Sequence, residues 1–154
     1  MQRTTLGKTG LTVSRAGLGG GGNSRLGLGR RATHKECVSL VREAIDLGVN
    51  FIDTAQNYQT ERIVGDAISE INRDSVVIST KTLLRVDGQL RTPDQISQSI
   101  DDSLQQLGVD YVDVFHLHAV LPEFYEYALH EIAPVLARAK AAGKIGHIGI
   151  TESS

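Results

Sequence analysis

Phe51-Ile52-Asp53-Thr54-Ala55-Gln56-Asn57-Tyr58 opens as a short β-branched and aromatic run and turns polar at an aspartate. Its tyrosine stands just before a helical pattern that begins at Thr60. The stretch reads as a buried strand ending on a carboxylate, with a phenol in the loop that follows. A carboxylate and a phenol so placed can serve a proton transfer. Two further strands end on groups able to join them. Val76-Val77-Ile78-Ser79-Thr80-Lys81 closes on a lysine, and Tyr111-Val112-Asp113-Val114-Phe115-His116-Leu117-His118 closes on a histidine. Asp53, Tyr58, Lys81 and His118, each at or just past a strand end, are the candidate catalytic residues.

Outward from this stretch the chain is regular. Upstream, Thr33-His34-Lys35-Glu36 is a capping box, and Cys37, Val41, Ala44 and Ile45 form the apolar stripe of a helix ending near Gly48. Downstream, Ile63, Val64, Ala67, Ile68 and Ile71 mark a second helix before the strand at 76–81. Thr92-Pro93-Asp94-Gln95 is another capping box with proline at the first helical position. It starts a helix with the stripe Ile96, Ile100, Leu104, Leu107, stopped by Gly108. After the strand at 111–118 comes a Pro/Glu/Tyr segment, and a last helix is expected to start near Pro134 and end at Gly143, because proline is poor in a helix interior. Ile145 to Ile150 is a final strand. At the other end, residues 1–13 read as a hairpin turning at Leu6-Gly7-Lys8-Thr9-Gly10, and 14–18 as a first core strand.

Alternation of strand and helix implies parallel βα units in one α/β domain, residues 1–154. Functional groups at the ends of several consecutive strands favour a (β/α)₈ TIM barrel over an open doubly wound sheet, whose site gathers at one switch point. A whole barrel takes eight strands and about 250 residues. With about five strands, this chain reads as a partial barrel with helices outside and a short N-terminal β-hairpin. Gly17-Leu18-Gly19-Gly20-Gly21-Gly22 fits a dinucleotide fingerprint but does not open the next helix, as that motif requires. It reads instead as a loop that lets backbone approach a ligand. Gly7-Lys8-Thr9 resembles a P-loop end but lacks the earlier glycine.

Composition excludes several classes. The chain has 154 residues, 40% hydrophobic and 22% charged, as expected of a globular protein. A net charge of -2 provides no basic field, so no nucleic-acid partner is expected. No apolar run approaches ~20 residues, so no membrane partner is expected either. The N-terminus lacks an apolar signal core, and Cys37 is a single cysteine, so a reducing, cytoplasmic setting is expected.

Asp53-Thr54-Ala55-x-x-Tyr58, Ser79-Thr80-Lys81, Gly108-Val109-Asp110-Tyr111-Val112-Asp113 with Leu117-His118, and Gly143-Lys144-Ile145 with Gly149-Ile150-Thr151 resemble successive signatures of the aldo-keto reductases. Leu6-Gly7-Lys8-Thr9-Gly10-Leu11-Thr12-Val13-Ser14 resembles that family's N-terminal hairpin. The resemblance implies an NAD(P)(H)-dependent oxidoreductase that reduces aldehydes or ketones to alcohols, with NADP(H) preferred over NAD(H). It assigns Tyr58 as proton donor, Lys81 as its cationic neighbour, Asp53 as the carboxylate paired with Lys81, and His118 as the group that orients the substrate oxygen or joins the proton path. A nearby ammonium is expected to lower the tyrosine pKa by stabilising the phenolate. By the same match Gly20, Gly21, Asp53, Thr151 and Glu152 are the cofactor contacts. Where the family often has Ser-Asn, this chain has Thr151-Glu152, which keeps a hydroxyl and replaces an amide with a carboxylate.

Two rivals stand beside this reading. His116-Leu117-His118 places both imidazoles on one strand face, where they could bind a divalent metal with Asp53 and make a metal-dependent barrel hydrolase. A relative that binds cofactor without turnover is the other. Five parallel strands would also leave open sheet edges, so the chain alone is expected to self-associate and to lack reductase turnover, with inward residues such as Val77 and Val114 partly wetted.

Overall fold

The computed structural model describes residues 1–153. Its spine is a parallel sheet of five strands, and the order in which they pair follows the order of the chain. The strands are β3 (Leu18–Gly19), β4 (Phe51–Asp53), β5 (Val77–Leu83), β8 (Val112–Val120) and β9 (Ile145–Glu152). Two antiparallel ribbons flank it, β1 (Arg3–Thr5) with β2 (Thr12–Ser14) and β6 (Arg85–Val86) with β7 (Gln89–Leu90). Between the sheet strands run α1 (His34–Asp46), α2 (Glu61–Ile68), α3 (Pro93–Leu107), α4 (Tyr125–Tyr127) and α5 (Ala133–Ala141). Sequential parallel strands with connecting helices are the partial (β/α)₈ barrel expected.

Both capping boxes form as read. Glu36 N–H donates to Thr33 Oγ1 at 3.3 Å while Thr33 N–H donates back to Glu36 Oε2 at 2.7 Å. Thr92 and Gln95 repeat the exchange at 3.3 and 2.8 Å, with Pro93 at the helix start. Gly108 ends α3 at φ 65°, in the left-handed region that glycine adopts without cost.

Period two along β8 separates core from site. Phe115 and Leu117 join Ile52 and Ile78 in the apolar core beneath the helices, against residues such as Val41, Ile63, Ile100 and Leu136. Val114, His116 and His118 take the opposite face. Their height is set by the ladder, which pairs Asp53 with Ser79, Lys81 with His116 and Leu83 with His118.

Several expectations are corrected. Ser14 belongs to the hairpin, not to a core strand at 14–18, and only Leu18–Gly19 pairs with β4. Lys81 and His118 do not close their strands, since β5 runs on to Leu83 and β8 to Val120. Helical structure begins well before Pro134, at Pro122, and passes through a π-helical turn over Ala128–Ile132. There Ala133 N–H reaches Ala128 O, five residues back. A wider turn just before Pro134 accommodates a residue that has no N–H to give to the helix. Val77 and Val114 are 6% and 7% exposed rather than wetted, because neighbours on both sides cover the middle strands. Exposure falls on outer strand β9, where Ile148 and Ile150 are 44% and 54% exposed. No helix among the described residues is long and apolar enough to cross a membrane.

Helix α2 meets α3 at Gly65, where an added Cβ would lie 2.5 Å from Leu107 O and 2.7 Å from Leu107 C. Backbone cannot yield as a flexible side chain does. Gly65→Ala is therefore expected to lower stability by roughly 1–3 kcal/mol through overpacking. The urea midpoint checks this, and an unchanged midpoint would mean that the helices can separate freely.

Candidate functional site

Lys81 carries its ammonium into the upper face of the sheet, with the residue only 6% exposed. A charge there needs partners, and it has two acceptors. Nζ donates to Asp53 Oδ2 at 2.6 Å and to the Thr54 carbonyl at 2.9 Å. Ser79 Oγ donates to the other carboxylate oxygen of Asp53 at 2.8 Å. The aspartate is thus held on both oxygens by groups projecting from neighbouring strand β5.

Tyr58 comes from the 3₁₀ turn Gln56–Tyr58 just past β4. Lys81 Nζ sits 5.1 Å from its ring centroid, so the cation faces the aromatic ring. Its hydroxyl lies 3.4 Å from His118 Nε2, and the two rings meet edge to face at 5.5 Å. All four catalytic candidates therefore converge at one end of the sheet. Asn57 adds a group that the sequence did not single out, with Oδ1 lying 3.2 Å from His118 Nδ1.

Protonation follows burial. The Tyr58 phenol is pushed up, first by burial and then by the Asp53 charge. The expected lowering by Lys81 does not occur, because Asp53 compensates the ammonium and burial disfavours the phenolate. His118 and His116 are both held below the ordinary histidine value, first by burial and then by Lys81. The site thus presents a protonated phenol and neutral imidazoles at neutral pH.

His116 turns elsewhere than its neighbour. Its Nδ1 lies 3.4 Å from Ser79 Oγ, and its ring occupies the space that a side chain at Gly149 would fill. The register pairs Gly149 with His116, so this glycine is a requirement of the imidazole. Among the described residues, no group of three or more His, Cys, Asp or Glu could hold a metal ion. The triad of His116, His118 and Asp53 does not assemble as a metal site.

Gly20 and Gly21 lie against the same cluster. Gly20 N–H donates to Asp53 O at 2.6 Å. A Cβ on Gly21 would come within 2.7 Å of the Tyr58 ring. Thr151 Oγ1 accepts the Ala119 N–H at 2.8 Å, which leaves its hydroxyl proton free to donate. Glu152 lies beside Tyr125, whose phenol is pushed up first by burial and then by that carboxylate. Behind the tyrosine turn, Gln56 Nε2 donates to Ser99 O at 2.7 Å and its Oε1 accepts from Thr82 Oγ1 at 2.6 Å. Serine and threonine at alternate positions in β5 and at i, i+4 in α3 were the only hint of this network in the sequence. Asp113, quoted above for its motif, binds Arg73 at 2.7 Å and Ile78 N–H at 2.8 Å, away from the cluster.

Comparison with known proteins places the chain among relatives. Residues 17–154 match the model of the aldo/keto reductase family. The chain is 36% identical over 173 aligned positions to the NADH-specific methylglyoxal reductase of Escherichia coli (strain K12), covering 97% of this chain and 51% of that protein. It superposes with a TM-score of 0.83 on the holo form of an aldo-keto reductase from Bacillus halodurans, at 27% identity, covering 99% of this chain and 50% of that one. An aldo-keto reductase from Bombyx mori in complex with NADP gives a TM-score of 0.77 at 26% identity, covering 97% and 50%. The chain spans about half the length of the curated relatives it matches.

Depressed histidines make stability pH-dependent. Below the ordinary value of 6.5 the unfolded chain binds protons that folded His116 and His118 refuse. Stability contributed by these groups is therefore expected to fall with pH from 6.5 down to their folded values. Urea titrations across that window should show a steeper pH slope for wild type than for His118→Gln. Equal slopes would mean that His118 is not held neutral by the fold.

Proposed function

Because this chain belongs to the aldo/keto reductase family, we propose that its site serves a nicotinamide-dependent reductase that converts aldehydes or ketones to alcohols. The single observation that carries this reading is the Tyr58 hydroxyl, 3.4 Å from His118 Nε2, on a ring that faces the Lys81 ammonium. When bound, the nucleotide supplies hydride to the carbonyl carbon.

The chain's own residues do the rest. Tyr58 gives its proton to the developing alkoxide. The phenol is protonated at neutral pH, as an acid must be, although burial and the Asp53 charge raise its pKa and make it a weaker acid than a free tyrosine. Lys81, facing the ring, offsets the part of the negative charge growing on the phenol that its ion pair with Asp53 leaves it free to meet. Asp53 and the Thr54 carbonyl hold that ammonium in place. Neutral His118 orients the substrate oxygen beside Tyr58 or passes the proton onward.

The donor set fits the reactive end of a nicotinamide nucleotide. Thr151 has a hydroxyl proton free to donate to a carboxamide oxygen, whereas the Glu152 carboxylate lies beside the Tyr125 phenol, on the strand face of Ile148 and Ile150. Gly20 and Gly21 let their backbone lie against Thr60, the Asp53 carbonyl and the Tyr58 ring, where a Cβ would collide. NADP(H) remains the expected nucleotide ahead of NAD(H). One relative is named for NADH and another structure holds NADP, so titration of the protein with both is the direct discriminator.

In a protein that carries these residues within a closed barrel, Tyr58→Phe is expected to reduce kcat by about 10²–10⁴-fold, the usual contribution of general acid catalysis. Nucleotide affinity should stay nearly intact. Steady-state turnover on a panel of aldehydes and ketones, paired with a fluorescence titration of NADPH, separates the two effects. Turnover unchanged in Tyr58→Phe would remove this residue from its role. The isolated chain is proposed to lack turnover and to self-associate along β9, whose edge is flanked by exposed Ile148 and Ile150. Sedimentation velocity should show mass rising with concentration, and a monomer at every concentration would count against that association.

A further inference from the structure

Strand β8 does not run regularly to its end. Leu117 pairs with Ile150 of β9, and the next pair is Val120 with Glu152. His118 and Ala119 thus stand opposite Thr151 alone, so the pairing contains a β-bulge. The extra residue restores Val120 to the core face, where it is 1% exposed and packs with Leu117. It also interrupts the ladder directly at His118. Ala119 takes up the irregularity at φ 54°, a left-handed conformation that residues with a Cβ adopt at a cost. Its N–H would be left without a ladder partner. Thr151 Oγ1 accepts it at 2.8 Å, the side chain of the single opposing residue closing the bulge.

We propose that Thr151 is a positioning residue for His118, clamping the strained Ala119 bulge so that the imidazole is aimed at the Tyr58 hydroxyl. The purpose of this aim rests on the reductase reading, but the clamp itself does not need a nucleotide. A hydroxyl that accepts from Ala119 N–H still has its own proton, so the clamp and a cofactor contact are compatible. The clamp predicts coupling between two positions that a cofactor contact would leave independent. When the left-handed strain is removed by glycine, the clamp should become dispensable.

The test is a double-mutant cycle read on His118 without nucleotide present. With ¹³C,¹⁵N-labelled histidine, the His118 signals are identified by their loss in His118→Gln. Wild type should show a His118 titration midpoint below the ordinary value and a through-space cross-peak to the Tyr58 ring, with Lys81, Asp53 and His116 as the charged or titratable neighbours. Thr151→Val should raise the midpoint toward the ordinary value and weaken the cross-peak. Thr151→Ser, which keeps the hydroxyl, should retain both. Thr151→Val combined with Ala119→Gly should recover both. A midpoint and cross-peak unchanged in Thr151→Val would overturn the proposal. So would equal effects of Thr151→Val in the wild-type background and in the Ala119→Gly background.

A second measurement covers the case in which Thr151→Val does not fold. Ala119→Gly alone should raise the urea midpoint, because the left-handed backbone no longer carries a Cβ. A lower or unchanged midpoint would overturn the strain on which the clamp depends. A separate NADPH and NADH titration of wild type tests the reductase reading. Failure to bind either nucleotide sinks that reading while the His118 cycle still decides the clamp.

Discussion

A buried ammonium sets the terms for this molecule. Removing a charge such as that of Lys81 from water carries a penalty of several kcal/mol, recovered only when geometry and hydrogen bonding are good. The side chain is 8% exposed, and Asp53 and the Thr54 carbonyl satisfy it within hydrogen-bond distance. Both partners come from one short segment at the end of β4. They can reach Lys81 only because β4 and β5 are neighbours in parallel register, with Asp53 opposite Ser79. The same ladder lets Ser79 occupy the second carboxylate oxygen. Strand pairing, ion pair and placement of Tyr58 over the ammonium are therefore one arrangement.

Polar groups behind the site extend this logic. The turn that carries Tyr58 is tied down through Gln56, whose amide donates to the Ser99 carbonyl and accepts from Thr82. Glu61, 5% exposed, accepts from Thr80 Oγ1 at 2.6 Å, and burial pushes its carboxyl up. Such groups are costly when unpaired and rigidifying when paired. Glycines work from the other side. Gly21 lets backbone close on the Tyr58 ring, and Gly149 makes room for His116. Rigid support of this kind is what a proton-transfer group needs, since a small displacement of the donor costs much of its effect.

The two faces of β8 show how one strand serves stability and chemistry together. Phe115 and Leu117 bury apolar area beneath the helices, while His116 and His118 occupy the site face. Alternation alone would send Ala119 toward the core and Val120 away from it. The bulge at 118–119 corrects this and keeps Val120 buried. Within the sheet, apolar surface is left uncovered further out, at Ile148 and Ile150 on the outermost strand.

Local chemistry accounts for what was legible in the sequence. The capping boxes at Thr33 and Thr92, the stop at Gly108, and the alternation of strand and helix all act within a few residues, so their pattern survives in the linear chain. The recurrence of Asp53, Lys81 and His118 near strand ends was legible for the same reason, because parallel strands bring like ends together. Long-range placement was not. The protonated state of Tyr58 depends on burial and on an ion pair that cancels the lysine charge, terms that exist only after folding. The π turn before Pro134 and the left-handed Ala119 were also invisible, since Ala119 carries no turn signal and its conformation is imposed by pairing with β9. Gly149 and Asn57 became meaningful only once the register and the tyrosine turn had set them beside His116 and His118. Sequence alone determined which segments could be strand or helix, and which strand ends carried reactive groups. Tertiary structure decided which of those groups touch and in what charge state, because contact and desolvation depend on residues far apart in the chain.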